Sequence, residues 1–397
     1  MNTSRRARWP VAGVFVWFGA VLGSFAVIAL DVQESLGLGP GGFGALLAVG
    51  FALGAGAHLA GGALVERCGE GGALWRVVVA WAATLVAAVA APGTLCLAIA
   101  IVAVLAGAGA LNATLNACAV NAVAGDTRRF VRYHAAYSAG AFGGAVLTAL
   151  IAGGGASWRV VWLTLVLAGL ALVVPASHVN SGSTAPTVRA TSMRSVLSLL
   201  RTPAVRRVAV LLFAAVAAAS AVDTWGVRFL RVEHDTSVVG GAGAYAVAQL
   251  VAVVARLRLV PSSNVRRADP VVVASGLLAA GLIVECSISN MWISAAGLAA
   301  AAVAGALVVP LLLACSGIGE RPAAAVAAVG AVGHLGFVIG PALVGALTAL
   351  AGSAAGLLAV ASLAVVTAAA ARWGLAVDGT VRVDDSEAAM SRRVEQT

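Results

Sequence analysis

The chain has 397 residues, of which 61% are hydrophobic and only 10% are charged. Soluble domains carry about 25% charged residues, so the composition excludes a soluble globular protein and indicates that most of the surface faces lipid. The net charge of +9 would suit a nucleic-acid partner. However, the arginines stand in short clusters between apolar stretches, as membrane topology signals do, so no nucleic-acid binding is expected.

Apolar stretches of spanning length, separated by turn or charge signals, predict twelve transmembrane helices. Their approximate bounds are residues 9–30, 41–65, 75–91, 94–123, 134–154, 158–176, 208–230, 240–257, 270–287, 291–316, 323–350 and 354–372. The polar, arginine-bearing segment 177–207 is predicted to be a cytoplasmic linker between two six-helix bundles, residues 1–176 and 208–372. Residues 373–397 form a predicted cytoplasmic tail.

Two glycine patterns recur in the second half of the chain at nearly the same offset. The run 41–49 returns as 240–248, and the pair Gly140 and Gly144 has its counterpart in Gly336 and Gly340. Such duplication is typical of transporters built from internal repeats. The predicted fold class is therefore an all-α membrane protein, with twelve transmembrane helices in two pseudo-symmetric six-helix bundles around a central cavity.

Arginine placement predicts the orientation. With a cytoplasmic N-terminus, all arginines except Arg159, Arg228 and Arg231 fall in or beside cytoplasmic segments, as the positive-inside rule requires. We therefore expect a multi-pass protein of the inner (plasma) membrane with both termini cytoplasmic.

The acidic residue of greatest interest is Asp223, about fifteen residues and roughly 22 Å into the seventh span. Ionisable groups at such depth are costly and usually face a polar cavity or a partner. Asp223 is thus either a cavity residue, with a possible role in proton coupling, or a structural acid neutralised by Arg228. Two other acids, Asp31 and Glu285, lie near span ends and are expected to contact water.

Other polar and aromatic residues fall within predicted spans. Asn112 and Asn116 share a helix face, where they either line a substrate cavity or bond a neighbouring helix. Trp17 and Trp225 occupy equivalent spans of the two bundles and either stack on a ring-shaped ligand or pack in the core.

Two deep histidines, His58 and His334, are candidates for proton coupling, although each could equally bond a facing helix. The five cysteines lie far apart without metal-ligand spacing. No metal and no cofactor are therefore expected.

Motif comparison brings in a known family. The segment 62–71, Gly-Ala-Leu-Val-Glu-Arg-Cys-Gly-Glu-Gly, resembles the loop signature Gly-x-x-x-Asp-Arg-x-Gly-Arg-Arg of the major facilitator superfamily. The stretches 111–116, 134–140 and 225–231 are similar to helices 4, 5 and 7 of its fucose-permease-like branch. This resemblance implies a secondary transporter working by alternating access, with the gating-loop residues Gly62, Glu66, Arg67 and Gly69.

The resemblance and the residues together suggest a solute class. Because no Arg or Lys is predicted deep in any span, we expect a small neutral or cationic organic solute, and the branch likeness favours a sugar-like one. The alternative is proton-driven efflux of small amphipathic compounds. A rival of another class is a non-transporting sensor or membrane enzyme on a transporter scaffold. The sequence has no nucleophile elbow or phosphate loop, so we expect no enzyme, and a monomer in contact with membrane lipid.

Overall fold

The computed structural model describes residues 8–123, 127–179, 198–259, 268–315 and 322–394, all of whose regular secondary structure is helical. The helices are α1 (Arg8–Ser35), α2 (Pro40–Ala90), α3 (Thr94–Val123), α4 (Thr127–Gly153), α5 (Trp158–Ala171), α6 (Val173–Ser177), α7 (Pro203–Ala221), α8 (Val227–Glu233), α9 (Val238–Leu259), α10 (Ala268–Ser287), α11 (Met291–Cys315), α12 (Pro322–Ala351) and α13 (Ser353–Val394). A π-helical turn, Val222–Gly226, joins α7 to α8. Most of the predicted linker, residues 180–197, lies outside the described residues.

Helix α2 is interrupted at Gly69, where φ is +70° and ψ is 170°. A residue with a Cβ is disfavoured at this positive φ, so glycine allows the chain to turn between two apolar helical parts. The two parts correspond to the second and third predicted spans.

Within the described residues, ten helices are long and apolar enough to cross a membrane. One of these is the interrupted helix α2, and a further apolar helix, α5, has only 14 residues. The chain is therefore a multi-pass membrane protein by helix length and composition. The sequence predicts twelve spans, and that number stays a prediction at this point.

Local signals account for several helix ends. Pro40 and Pro203 stand in the first turn of α2 and α7, where a missing N–H costs nothing. The side chain of Asn290 accepts hydrogen bonds from the backbone N–H groups of Trp292 and Ile293, at 3.0 and 3.3 Å, and so caps the start of α11.

Helix α4 packs directly on α1 through glycine. A Cβ placed on Gly140 would lie 1.9 Å from the carbonyl oxygen of Val16, and one on Gly144 would lie 2.0 Å from that of Ala20. Backbones in lipid approach this closely only where side chains are absent.

The same arrangement recurs between α12 and α7. A Cβ on Gly336 would lie 2.6 Å from the carbonyl oxygen of Phe213, and one on Gly340 would lie 2.1 Å from that of Ala217. Each recurring glycine pair thus joins a helix of its own segment to that segment's first helix.

Contacts between the segments before and after the linker bring the site together. Helix α2 packs along α12, and α4 packs along α9. We name the two ends of the helix array after the residues found there. The Gly69 end also holds the start of the linker, since a Cβ on Gly71 would lie 2.5 Å from the carbonyl oxygen of Ser177. The opposite end is the Asp31 end.

Candidate functional site

A group of polar side chains lies between α4, α9 and the π turn, where the two segments meet. We call Asp223, Tyr245, Arg256, Tyr137 and Ser138 the polar cluster. The hydroxyl of Tyr245 donates to Oδ1 of Asp223 at 3.4 Å, and Nη1 of Arg256 donates to Oγ of Ser138. Arg256 is close enough to Asp223 for their charges to interact, and Tyr137 lies near both. The cluster therefore holds one negative and one positive charge among hydroxyl groups.

The π turn sets the position of Asp223. This turn contains Val222, Asp223, Thr224, Trp225 and Gly226, and π turns inside α-helices often occur at functional sites. The hydroxyl of Thr224 donates a hydrogen bond to the carbonyl of Ser220 at 2.7 Å, so this hydroxyl is satisfied within its own helix. Asp223 is left to face α9 and α4.

Arg256 corrects the prediction that no arginine reaches deep into a span. Arg256 stands in the last turn of α9, and an arginine at that position normally indicates the end of a transmembrane span. In the structure, however, its side chain extends to a buried serine of α4. A pattern in the sequence could have indicated this inward-facing arginine. Tyr245, Gln249 and Arg256 recur at helical spacing on one face of α9, and a side-chain hydrogen bond joins Tyr245 to Gln249.

Asn112 and Asn116 share one face of α3, and Nδ2 of Asn116 donates to Oδ1 of Asn112 at 2.9 Å. The amide oxygen of Asn116 is buried without a hydrogen-bond partner among the described residues. The two amides thus bond to each other and leave one acceptor available. The structure does not join them to the polar cluster.

His58 and His334 are brought together. Their ring centroids lie 4.2 Å apart, one ring from α2 and the other from α12. Nδ1 of His334 lies 3.0 Å from the carbonyl oxygen of Gly330, whereas Nδ1 of His58 is buried with no partner among the described residues. The pair therefore spans the junction of the two segments.

The two candidate tryptophans have different surroundings. Trp17 is buried, donates from Nε1 to the carbonyl of Leu165 at 2.7 Å, and packs edge-on against Trp81 at 4.9 Å. These contacts lie within the N-terminal segment, so the structure supports packing for Trp17 over contact with a ligand. Trp225 donates to the carbonyl of Pro341 at 3.1 Å and lies 6.0 Å from Phe43 of α2.

The predicted gating loop lies at the Gly69 end. Glu66, Arg67 and Gly69 are exposed, and Glu66 and Arg67 make no hydrogen bond or ion pair with another described residue. A Cβ on Gly62 would meet nothing within 4 Å. Instead, Oε1 of Glu70 accepts a hydrogen bond from Nδ2 of Asn121 at 2.7 Å. The bond across to α3 therefore comes from Glu70.

At the Asp31 end, two arginines of α8 bind α1 across the segments. Arg231 forms an ion pair with Asp31 and donates to the carbonyl of Val27 at 3.0 Å. Nε of Arg228 donates to Oε1 of Gln33 at 2.8 Å, and its guanidinium lies 5.1 Å from the Trp225 ring centre. The sequence suggested Arg228 as a partner of Asp223, but the structure pairs it with Gln33. We call these contacts the Asp31 latch.

Comparison with protein-family profiles and with curated proteins finds no match for this sequence. Solved structures do match over almost the whole chain. A bacterial homologue of the human drug peptide transporters PepT1 and PepT2 superposes with a TM-score of 0.74 at 14% identity, over 96% of this chain and 100% of that one. The human organic anion transporter MFSD10 (TETRAN) matches with a TM-score of 0.67 at 17% identity, over 94% and 100% of the two chains.

A third matching structure gives the name of the fold. The major facilitator superfamily transporter FucP, in its outward conformation, matches with a TM-score of 0.64 at 13% identity, over 94% of this chain and 99% of that one. The chain has the major facilitator superfamily fold. This result confirms the resemblance to the major facilitator superfamily drawn from the sequence motifs, and FucP is among the matching structures. MFSD10 and FucP are both named as transporters.

Proposed function

We propose that this protein is a secondary transporter that moves a small polar organic solute across the inner membrane by alternating access. The polar cluster carries the proposal. It places an acid, an arginine and several hydroxyl groups between two segments of a membrane-embedded fold, where burying charge without a purpose would be costly. In addition, the polar groups come from both segments, so movement of one against the other would change their geometry.

The proposed architecture is two six-helix bundles around a central cavity, with domain bounds 1–176 and 208–372 and both termini cytoplasmic. The interruption at Gly69 supports counting α2 twice, and counting α5 as a short span gives twelve. The matching glycine contacts of α4 on α1 and of α12 on α7 support a duplicated bundle.

The solute proposed from this site is neutral. The charges of Asp223 and Arg256 offset each other, so a cationic solute would meet the guanidinium and an anionic one the carboxylate. Hydroxyl and amide groups from Tyr137, Ser138, Tyr245 and Gln249 suit a solute with several hydrogen-bonding groups. A sugar-like molecule fits this set. The expectation of a cationic solute depended on there being no arginine deep in a span, and it is therefore dropped.

Proton-driven efflux of small amphipathic compounds is the second candidate. The observation that favours it is the contact between His58 and His334, because two rings that can each bind a proton face each other across the segments. Protonating both would make them repel and would favour their separation.

Purified protein in liposomes tests the proposal. A panel of neutral polyols and sugars is first screened by thermal shift, because a ligand that binds the folded state stabilises it, by about 2.7 kcal/mol at one hundred times its Kd. Hits are then assayed for exchange across the bilayer. Accumulation or exchange of a neutral solute supports the proposal. Binding with no flux indicates a sensor, and a chemically changed product indicates an enzyme.

Loss of the Asp31 latch should open the Asp31 end. Asp31→Asn removes the charge that pairs with Arg231, and because both side chains are partly exposed we expect a cost of only about 1 kcal/mol, or roughly a fivefold rise in the open population. Spin labels at Gly39→Cys and Val232→Cys, both exposed, would report the separation by pulsed electron resonance after Cys68 and Cys96 are replaced by serine.

Glu34→Gln is the matched control for the ion pair between Asp31 and Arg231, since Glu34 is an exposed acid three residues along the same helix that acts on Arg228 through its charge but forms no ion pair with another described residue. Equal distance distributions for Asp31→Asn and Glu34→Gln would show that the Asp31 latch does not hold this end closed.

A further inference from the structure

Glu285 is a buried carboxyl group that the polar cluster does not use. It stands in the last turn of α10, and its exposed fraction is 0%. Both carboxyl oxygens lack a hydrogen-bond partner among the described residues. This position overturns the expectation that Glu285 contacts water.

The surroundings of Glu285 are closely packed and apolar. A Cβ placed on Gly226, the last residue of the π turn, would lie 3.4 Å from Oε1 of Glu285 and 2.4 Å from Leu298. On the other side, a Cβ on Gly297 would lie 2.6 Å from the backbone nitrogen of Glu285, so α10 and α11 touch. The hydroxyl of Ser294 donates to the main-chain carbonyl of Glu285 at 2.7 Å and not to its carboxyl group.

Among the described residues, no cation faces this carboxyl from the helices packed against it. Helix α11 has no charged residue, and α13 has none before Arg372. On the side of α8 and the π turn, Arg228 is held by Gln33, Asp223 bonds Tyr245, and Glu233 is exposed. Beside Glu285 itself, Cys286 is a free thiol.

An ionised carboxylate removed from water and left unpaired is strongly disfavoured, and such a group normally takes up a proton instead. Packing that brings Gly226 and Gly297 against Glu285 also excludes the water that would solvate a charge. Protonation of Glu285 and close packing of the π turn on α10 and α11 therefore require each other.

We propose that Glu285 is a proton-binding site, separate from the polar cluster, whose occupancy controls the packing of the π turn against α10 and α11. When the proton is bound, the neutral carboxyl fits the dry space beside Gly226. When the O–H bond breaks, the proton passes to water, the carboxylate keeps the electron pair, and the charge needs water that enters only if the helices separate. Since the same π turn carries Asp223, proton binding at Glu285 alters the position of the polar cluster. Its use in driving flux rests on the proposed function, whereas the proton site itself does not.

Infrared spectroscopy tests the site without any transport assay. In wild-type protein at neutral pH, we expect absorption from a protonated carboxylic acid that disappears in Glu285→Gln. The control variant Glu233→Gln removes an exposed glutamate of α8 and should leave that absorption unchanged. Asp223→Asn, examined separately, identifies any contribution from the aspartate. If Glu285→Gln leaves the protonated-acid absorption intact, Glu285 is ionised and the proposal is wrong.

A second measurement covers the case in which Glu285→Gln folds poorly. Wild-type protein labelled with carbon-13 at glutamate carboxyls should keep one protonated, isotope-shifted band at a pH where exposed glutamates are ionised. The thermal unfolding temperature should fall as the pH rises from the range where exposed glutamates ionise up to the pH at which this band disappears, because over that interval the folded protein holds a proton that the unfolded chain has released. Absence of the band at neutral pH, or its loss without any change in unfolding temperature, would overturn the proposal even if solute flux is observed.

Discussion

Asp223→Asn and Arg256→Gln are each expected to reduce solute flux about 5- to 150-fold, which corresponds to a coupling of about 1–3 kcal/mol between neighbouring buried groups. Each single substitution leaves one charge of the polar cluster without its counterpart. The double variant should lose less than the product of the two single effects, because it removes both charges together. Flux in liposomes and thermal unfolding of the four proteins complete the double-mutant cycle. Any flux that Asp223→Asn retains should no longer respond to a pH gradient.

Arg258→Gln is the matched control for this cycle, because Arg258 is exposed and lies in the same last turn of α9 as Arg256. Its flux should remain near that of the wild type. Strictly multiplicative effects of Asp223→Asn and Arg256→Gln would mean that the two side chains act independently, and the neutral-solute argument would then lose its basis.

The second large effect concerns stability. Gly140→Ala should markedly destabilise the protein, because its methyl group would lie 1.9 Å from the carbonyl oxygen of Val16 and must push α4 away from α1. Overpacking of this kind costs about 1–3 kcal/mol or more. For Gly143→Ala in the same helix, no described atom lies within 4 Å of the new methyl group apart from the adjacent residues and the helix's own nearby backbone. Only the gain in helix propensity, about 1 kcal/mol or less, should therefore remain.

The thermal unfolding temperature in detergent should therefore fall for Gly140→Ala and stay level or rise for Gly143→Ala. Gly340→Ala offers the corresponding test in the C-terminal segment, where the new methyl group would lie 2.1 Å from the carbonyl oxygen of Ala217. Indistinguishable unfolding temperatures for the two α4 variants would show that α4 can withdraw from α1 at little cost.

The general fold could be predicted because lipid imposes long apolar runs, and because close helix packing leaves glycine at fixed spacing. The pair Gly140 and Gly144 and its counterpart in α12 show this, since sequence spacing alone related them and the structure gives them matching contacts. The major facilitator fold was likewise visible in the loop motif around Gly69. The number of spans stays a prediction, because α5 has only 14 residues and α2 is counted as one helix by length.

The site was less predictable because side-chain reach and burial depend on neighbouring helices. Arg256 and Glu285 both stand near span ends, where the chain alone indicates contact with water or headgroups. Packing of α4 against α9 draws the arginine inward, and packing of α11 and the π turn covers the glutamate. Trp17 shows the opposite case, because its depth suggested a ligand contact whereas Leu165 and Trp81 enclose its ring.

Two of the free cysteines are exposed, and the path of the chain separates them. Cys68 precedes the interruption in α2, whereas Cys96 lies in the first turn of α3, after the second part of α2 has crossed to the other end of the array. Any bilayer spanned by these helices therefore has one exposed thiol near each surface. Even without engineered residues, the native chain carries a pair of chemically addressable sidedness markers.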